Sequence, residues 1–182
     1  MYGLVNKAIE DMVTQLKGGA AWEALKRDAG VDLDTFVGMD QYDDAVTYRL
    51  VAAASRMLNL PSDEILEAFG EYWTMYTAEK GYGHLMNAAG ENVFDVLDSL
   101  DDMHTRLEML YPNMRIPHFD LTRESGTRAV LRYESERDGL APMVVGLVKG
   151  LGKRFDTPLI VERLDRREDG AESDSFRITL TD

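Results

Sequence analysis

The chain contains no cysteine among its 182 residues and only three histidines. Without cysteine there can be no disulfide, thiolate metal ligand, cysteine nucleophile or iron–sulfur cluster. Any chemistry that needs an imidazole must use His84, His104 or His118. Positive charge is also scarce: 33 acidic residues against 20 basic ones give a net charge of −13. That balance repels phosphate backbones, so we expect no nucleic-acid partner.

Long apolar runs are missing as well. The longest uncharged apolar stretch, residues 139–148, ends at Lys149, whereas a membrane span needs about 20 residues. The amino terminus has no basic segment followed by a cleavage site, so we expect a cytoplasmic protein with no membrane contact. Hydrophobic residues make up 45% and charged residues 29%, which is typical of a globular protein with a core, and the length favours one domain.

Two kinds of hydrophobic periodicity divide the chain. Spacings of three and four residues, ended by glycine or proline, predict helices, and alternation predicts strands. The sequence therefore predicts an α+β fold: a helical lobe over about 1–60 packs on a second lobe over about 61–182, which holds an antiparallel sheet and further helices. The predicted helices cover 1–16, 20–30, 40–58, 62–75, 91–110 and 140–155, and the predicted strands cover 128–137, 158–164 and 175–180.

Residues 91–110 form the clearest predicted helix, and a histidine lies on its apolar face. Five acidic residues and no basic one precede His104 there, which indicates a solvated polar face. One interpretation of His104 is a buried imidazole hydrogen-bonded to a backbone carbonyl, since buried polar groups are usually paired. The other is an axial ligand, because a neutral imidazole binds haem iron well. The apolar stripe runs through Val93, Leu97, Leu100, His104, Leu107 and Tyr111.

Residues 128–137 alternate as a strand with one buried face does. After Ala129 and Leu131, that face carries three hydrogen-bond donors, Tyr133, Ser135 and Arg137. Burying a neutral donor without a partner costs about 1–3 kcal/mol, so three donors in line indicate a common acceptor. The arginine fork suits a carboxylate or a phosphate. Alternatively, Arg137 emerges at the strand end and pairs with a surface acid.

Haem would use both features. Its iron needs a ligand, which the helix offers, and its two propionates need donors, which the strand offers. The sequence therefore predicts one haem b, held non-covalently because the chain has no Cys-x-x-Cys-His attachment motif.

The segment Tyr133-Glu134-Ser135-Glu136-Arg137 resembles the Tyr-x-Ser-x-Arg motif of the haem nitric oxide/oxygen-binding (H-NOX) family. MYGLVNKAI, LVAAASRMLNL, ILEAFGEYW, LDDMHTRLEMLYPNMRIP and GLAPMVVGLVKGLGKRF are also similar to segments of cyanobacterial members and of soluble guanylate cyclase. The resemblance implies a haem between the two lobes, with His104 as the iron ligand and Tyr133, Ser135 and Arg137 on the propionates.

The resemblance extends to the surroundings of the haem. Pro117 matches the proline that presses on the porphyrin, and Val5, Trp73 and Met143 match positions of the distal pocket. Oxygen-binding members carry a tyrosine where this chain has Met143, so the resemblance implies a sensor that binds nitric oxide and carbon monoxide and excludes oxygen. Whether Trp73 stabilises bound oxygen is left open by the sequence, and so is the reach of Tyr76 and Tyr82 to this pocket.

The resemblance implies a sensor and no enzyme. Its output would go to a separate sensor histidine kinase or diguanylate cyclase/phosphodiesterase, through rupture of the iron–histidine bond and helix displacement, with Gly70 as a flexing point. A haem peroxidase needs a distal acid–base pair, which the matched pocket positions do not provide. A hydrolase needs a nucleophile beside a base, and three scattered histidines form no such pair. A haem carrier or store remains an alternative.

Overall fold

The computed structural model describes residues 1–77, 89–111 and 114–181, where it shows six α-helices and a four-stranded antiparallel sheet. The predicted α+β class is confirmed. The chain forms two compact units, Met1–Phe69 and Gly70–Asp182. The helices are α1 (Gly3–Lys17), α2 (Gly19–Asp28), α3 (Asp44–Leu58), α4 (Ser62–Tyr72), which continues as a π-helical turn (Trp73–Thr77), α5 (Val93–Leu110) and α6 (Ala141–Arg154). The strands are β1 (His118–Arg123), β2 (Arg128–Glu134), β3 (Leu159–Asp165) and β4 (Asp174–Leu180).

The first unit is helical. Its helix α3 begins where the Asp43 side chain accepts a hydrogen bond from the backbone N–H of Ala45 at 2.9 Å, which satisfies one free donor of the first turn. Trp22 is buried, as expected of a core residue. The Thr47 hydroxyl donates to the buried Asn6 amide oxygen at 2.7 Å, so α1 and α3 share a polar contact inside the core.

The second unit is built on the sheet, whose strand order is β1-β2-β4-β3. Helices α5 and α6 bury their apolar faces with the sheet in one core, because both carry apolar side chains at helical spacing. Among the residues described, no helix is long and apolar enough to cross a membrane. The core includes Val93, Phe94, Val96, Leu97, Phe119, Leu131, Val144, Val148, Phe176 and Ile178.

Two glycines let α6 lie very close to α4 and its π-helical turn. A Cβ atom on Gly70 would stand 2.1 Å from the Met143 carbonyl oxygen, and one on Gly150 would stand 2.7 Å from Cβ of Thr74. The Thr74 hydroxyl also donates to the Leu147 carbonyl at 3.2 Å. Gly70, predicted as a flexing point, therefore has a packing role that any side chain would disturb.

Three predicted boundaries are wrong by three residues or more, and one strand was not predicted. The helix expected from residue 40 begins at Asp44, and the helix expected over 62–75 changes to a π-helical turn at Trp73. The strand expected to reach Arg137 ends at Glu134, because its ladders end at His118↔Glu134 and Tyr133↔Asp174. The unpredicted strand is β1, which begins at His118.

Candidate functional site

His104 lies on α5, and one nitrogen of its ring already makes a hydrogen bond. Its Nδ1 is 3.1 Å from the carbonyl oxygen of Pro117. Because a carbonyl only accepts hydrogen bonds, Nδ1 carries the hydrogen, and the lone pair of the neutral ring is on Nε2. Metal-ligating histidines are oriented in this way. The hydrogen bond of the first interpretation is thus present, and it prepares the imidazole for the second.

Burial lowers the pKa of His104 below its ordinary value of 6.5, while the hydrogen bond to the Pro117 carbonyl and the charge of Asp101 oppose that shift. The imidazole is therefore neutral at pH 7. Iron binds the neutral form, so the environment of His104 keeps the ring ready for a metal over a wider pH range than an exposed histidine would allow.

Stability of the haem-free protein should depend on this histidine. The unfolded chain takes up a proton near pH 6.5 and the folded chain only at lower pH, so the free energy of unfolding should fall as the pH drops below 6.5. Urea unfolding at about pH 7.5 and about pH 5.5 would measure this. His104→Gln should remove that part of the dependence and His118→Gln should retain it; equal slopes for wild type and His104→Gln would contradict the assignment.

A row of aromatic rings leads from His104 to β2. The His104 ring centroid is 5.6 Å from that of Phe119, which is 5.3 Å from that of Tyr133. Phe119 and Tyr133 face each other in the β1–β2 ladder, and both are buried. His104 and Tyr133 are therefore connected through one row of packed rings. Phe119, the middle ring of this row, was not predicted as a site residue because strand β1 was not predicted.

The three predicted donors come together at the end of β2. Ser135 Oγ accepts the backbone N–H of Arg137 at 3.1 Å. Arg137 Nη1 donates to the carbonyl oxygen of Arg115 at 2.7 Å. Burial raises the pKa of Tyr133, although the Ser135 hydroxyl and the Arg137 charge oppose the shift, so the phenol keeps its proton and can donate.

The acidic face of α5 is solvated, as expected, with Asp98 and Asp102 exposed, and it is also the surface to which β1 is attached. Asp101 Oδ1 lies 3.2 Å from the backbone nitrogen of Phe119 and 3.2 Å from Nδ1 of His118. The Arg123 Nε–H donates to Asp98 at 2.8 Å. These contacts tie β1 to α5 and hold the Pro117 carbonyl within hydrogen-bond distance of His104 Nδ1.

The residues matched to the distal pocket are distributed over both units. Val5 is half-buried on α1 in the first unit, and in the second unit Trp73 is half-buried in the π-helical turn and Met143 in the first turn of α6. Tyr76 is 50% exposed. Tyr82 lies outside the described residues.

Comparison with known proteins places these residues in a family. A family model described as Haem-NO-binding matches residues 2–163, a range that includes His104, Pro117 and the Tyr133–Arg137 segment. The chain belongs to the Haem-NO-binding (H-NOX) family. This family consists of haem-based gas sensor domains without catalytic activity, which confirms the predicted haem-binding, sensing and non-enzymatic character.

Relatives of this H-NOX domain include larger proteins. The soluble guanylate cyclase gcy-35 of Caenorhabditis elegans is 29% identical over 173 residues, which cover 93% of this chain and 25% of the cyclase. The guanylate cyclase soluble subunit beta-2 of Rattus norvegicus is 31% identical over 108 residues, which cover 59% of this chain and 16% of the subunit. The chain thus spans at most about a quarter of the length of these relatives.

Solved H-NOX structures share the fold. An H-NOX protein of S. oneidensis in its Fe(II)NO ligation state superposes with a TM-score of 0.89 at 21% identity, with 100% of both chains covered. The unliganded Fe(II) H-NOX protein of K. algicida gives 0.84 at 19% identity and covers 100% of this chain and 97% of its own. At these identities the superpositions establish the fold alone.

Proposed function

We propose that this H-NOX domain holds one haem b through His104, senses nitric oxide at the ferrous iron, and signals to a separate protein. The observation that carries the proposal is the hydrogen bond from His104 Nδ1 to the Pro117 carbonyl at 3.1 Å. It fixes the tautomer whose Nε2 can bind a metal. The haem supplies the iron at which diatomic gases bind.

The donor set fits the anionic edge of a haem. Tyr133, Ser135 and Arg137 offer two hydroxyls and a guanidinium at the end of one strand, and the hydrogen bonds from Arg137 to the Ser135 hydroxyl and to the Arg115 carbonyl keep the last two in place. Carboxylates bind such donors through charge-assisted hydrogen bonds. This clamp favours a tightly held haem over the carrier or store that the sequence leaves open.

Gas selectivity would follow from the distal side chains. Bound oxygen carries partial negative charge and is stabilised by a hydrogen-bond donor, whereas nitric oxide and carbon monoxide depend less on one. In the H-NOX pattern the distal pocket corresponds to Val5, Trp73 and Met143. The side chains of Val5 and Met143 carry no N–H or O–H group, and the indole N–H of Trp73 would have to point at the ligand to stabilise it. We therefore expect nitric oxide and carbon monoxide to bind and oxygen to be excluded.

Helix α5 is suited to transmit the signal. Its first half is buried in the core through Val93 and Leu97, while Met109 and Leu110 at its end are 77% and 71% exposed. If nitric oxide at the iron displaced His104, the carboxyl-terminal half of α5 would lose one restraint and could move while the first half stays packed. A sensor histidine kinase or a diguanylate cyclase/phosphodiesterase would read that displacement.

Absorption spectra test the proposal directly. The ferrous protein should be five-coordinate, form a five-coordinate nitrosyl with nitric oxide, bind carbon monoxide, and show no oxygen complex in air. A protein that stays colourless after haem supplementation would refute the haem site. A six-coordinate nitrosyl at every concentration of nitric oxide, with the partner still responding, would refute bond rupture as the signal.

Removing Arg137 should weaken haem retention most. Arg137→Ala deletes a charged donor together with its hydrogen bond to the propionate, worth up to about 3 kcal/mol, whereas Ser135→Ala and Tyr133→Phe each delete a hydrogen bond from an uncharged donor to the carboxylate, worth about 1.5 kcal/mol. Transfer of haem to a scavenger protein should therefore accelerate up to about 150-fold for Arg137→Ala and about tenfold for the others. Arg128→Ala, exposed on the same strand, is the control; equal rates for both arginine variants would show that Arg137 does not hold haem.

A further inference from the structure

Residues 135–138, which include two of the clamp donors, lie beyond both ladders of β2 and are held by a side chain from the connection between β3 and β4. The carbonyl oxygen of Ser135 accepts a hydrogen bond from Arg167 Nη1 at 2.7 Å, and Arg167 Nη2 lies 3.0 Å from the carboxylate of Asp138. One guanidinium therefore spans the segment from Ser135 to Asp138. The planar fork of arginine allows two such contacts at once.

Arg167 is itself anchored in the connection between β3 and β4. Its backbone N–H donates to Asp174 Oδ1 at 3.4 Å, and Asp174 pairs with Arg163 at 2.8 Å. Asp174 is buried and stands opposite Tyr133 in the β2–β4 ladder. A buried ion pair on the strand next to Tyr133 thus fixes the point from which Arg167 reaches Ser135.

The two contacts of Arg167 differ in strength. The Asp138 side chain is 89% exposed, and ion pairs at exposed sites contribute little because water screens them. The hydrogen bond to the Ser135 carbonyl has the same charged donor but is short and partly buried, so water screens it less and it is the stronger of the two. Its effect on Ser135 therefore outweighs the ion pair.

We propose that Arg167 is a positioning residue of the propionate clamp. By holding the Ser135 carbonyl, it sets the orientation in which the Ser135 hydroxyl meets Tyr133 and accepts the N–H of Arg137. Its charge also acts on Tyr133, where it opposes the effect of burial on the pKa. This inference rests on the proposed haem function and adds to it a residue outside the Tyr-x-Ser-x-Arg motif.

Haem transfer to a scavenger protein tests the role of Arg167. Arg167→Ala should release haem about tenfold faster than wild type, a difference of about 1.4 kcal/mol, and should shift the propionate bending band in the resonance Raman spectrum. Arg167→Lys, which keeps the charge but lacks the fork, should lie between the two. The matched control is Arg166→Ala, an exposed neighbour of equal charge, which should change neither rate nor band.

Hydrogen exchange in the haem-free protein separates a local effect from unfolding. Arg167→Ala should accelerate exchange at the amide of Arg137 and leave the amides of β4 protected. If Arg167→Ala does not fold, Arg167→Lys carries the same comparison. A wild-type chain that takes up no haem overturns the proposed function. A wild-type chain that holds haem, beside Arg167 variants that release it no faster than Arg166→Ala, overturns only the inference about Arg167.

Discussion

Replacing His104 with glycine should leave haem in the clamp while cutting the link between the iron and α5. The ferrous spectrum should change on mutation and return to the five-coordinate form when imidazole is added, because free imidazole can take the place of the deleted ring. Without imidazole, α5 should adopt its released position in the absence of nitric oxide. The variant should therefore place the partner enzyme in the state that nitric oxide produces in the wild-type domain.

The matched control is Thr105→Gly, since Thr105 is the exposed neighbour of His104 on the same helix. Glycine in a helix interior costs about 1 kcal/mol relative to alanine, and histidine and threonine have similar helix propensities, so both variants share a similar loss and only one loses the imidazole. The control should keep the wild-type spectrum and partner response. A His104→Gly protein with the wild-type ferrous spectrum would show that another residue is the iron ligand.

The inward face of β2 was predictable because alternation reports burial directly. Ala129, Leu131 and Tyr133 are buried as predicted, and the alternation of exposure continues through Ser135 and Arg137, which are half-buried, although the ladder has ended. Burial of a residue depends on which face it occupies, and that is encoded in the spacing. The end of the strand depends on its partners, which the spacing does not encode.

Strand β1 was not predicted, although residues 118–122 alternate polar and apolar side chains. It lies at the sheet edge with only Phe119 buried, and its alternation includes just two apolar residues, Phe119 and Leu121, which is a weak signal. Its place is determined by contacts from α5, in which Asp101 holds the Phe119 amide and Asp98 holds Arg123. In the sequence these acids indicate only a polar face, because their partners follow about 20 residues later.

Backbone acceptors are the part of the site that no residue pattern reveals. His104 is hydrogen-bonded to the backbone carbonyl of Pro117. In the same way, Arg137 donates to the carbonyl of Arg115 and Arg167 donates to the carbonyl of Ser135. Every residue type carries the same carbonyl, so the sequence shows the donors and hides the acceptors. Arg167 was not predicted as a site residue for this reason. In the sequence it lies in a charged turn, as Arg166 does, and only the contact between its Nη1 and the Ser135 carbonyl oxygen distinguishes the two.

Replacing Met143 with tyrosine should give this domain a stable oxygen complex. The variant places a phenol at the position where oxygen-binding relatives carry one, and one hydrogen bond to a charged acceptor contributes about 1.5–3 kcal/mol. Oxygen affinity should rise about 10- to 150-fold, while binding of nitric oxide and carbon monoxide changes little. Met143 is only half-buried, so the larger ring should not disrupt the core.

The Met143→Phe variant separates the effect of the tyrosine hydroxyl from the effect of the larger ring. It introduces the same aromatic ring without the donor, so it should show no oxygen complex in air, and any effect common to both variants reports the change of volume alone. A persistent oxygen spectrum in the Met143→Tyr variant only would establish that the missing donor at position 143 causes the exclusion of oxygen. If the wild-type domain already binds oxygen in air, the donor must come from another residue, and the indole N–H of Trp73 and the hydroxyl of Tyr76 are the groups to remove next.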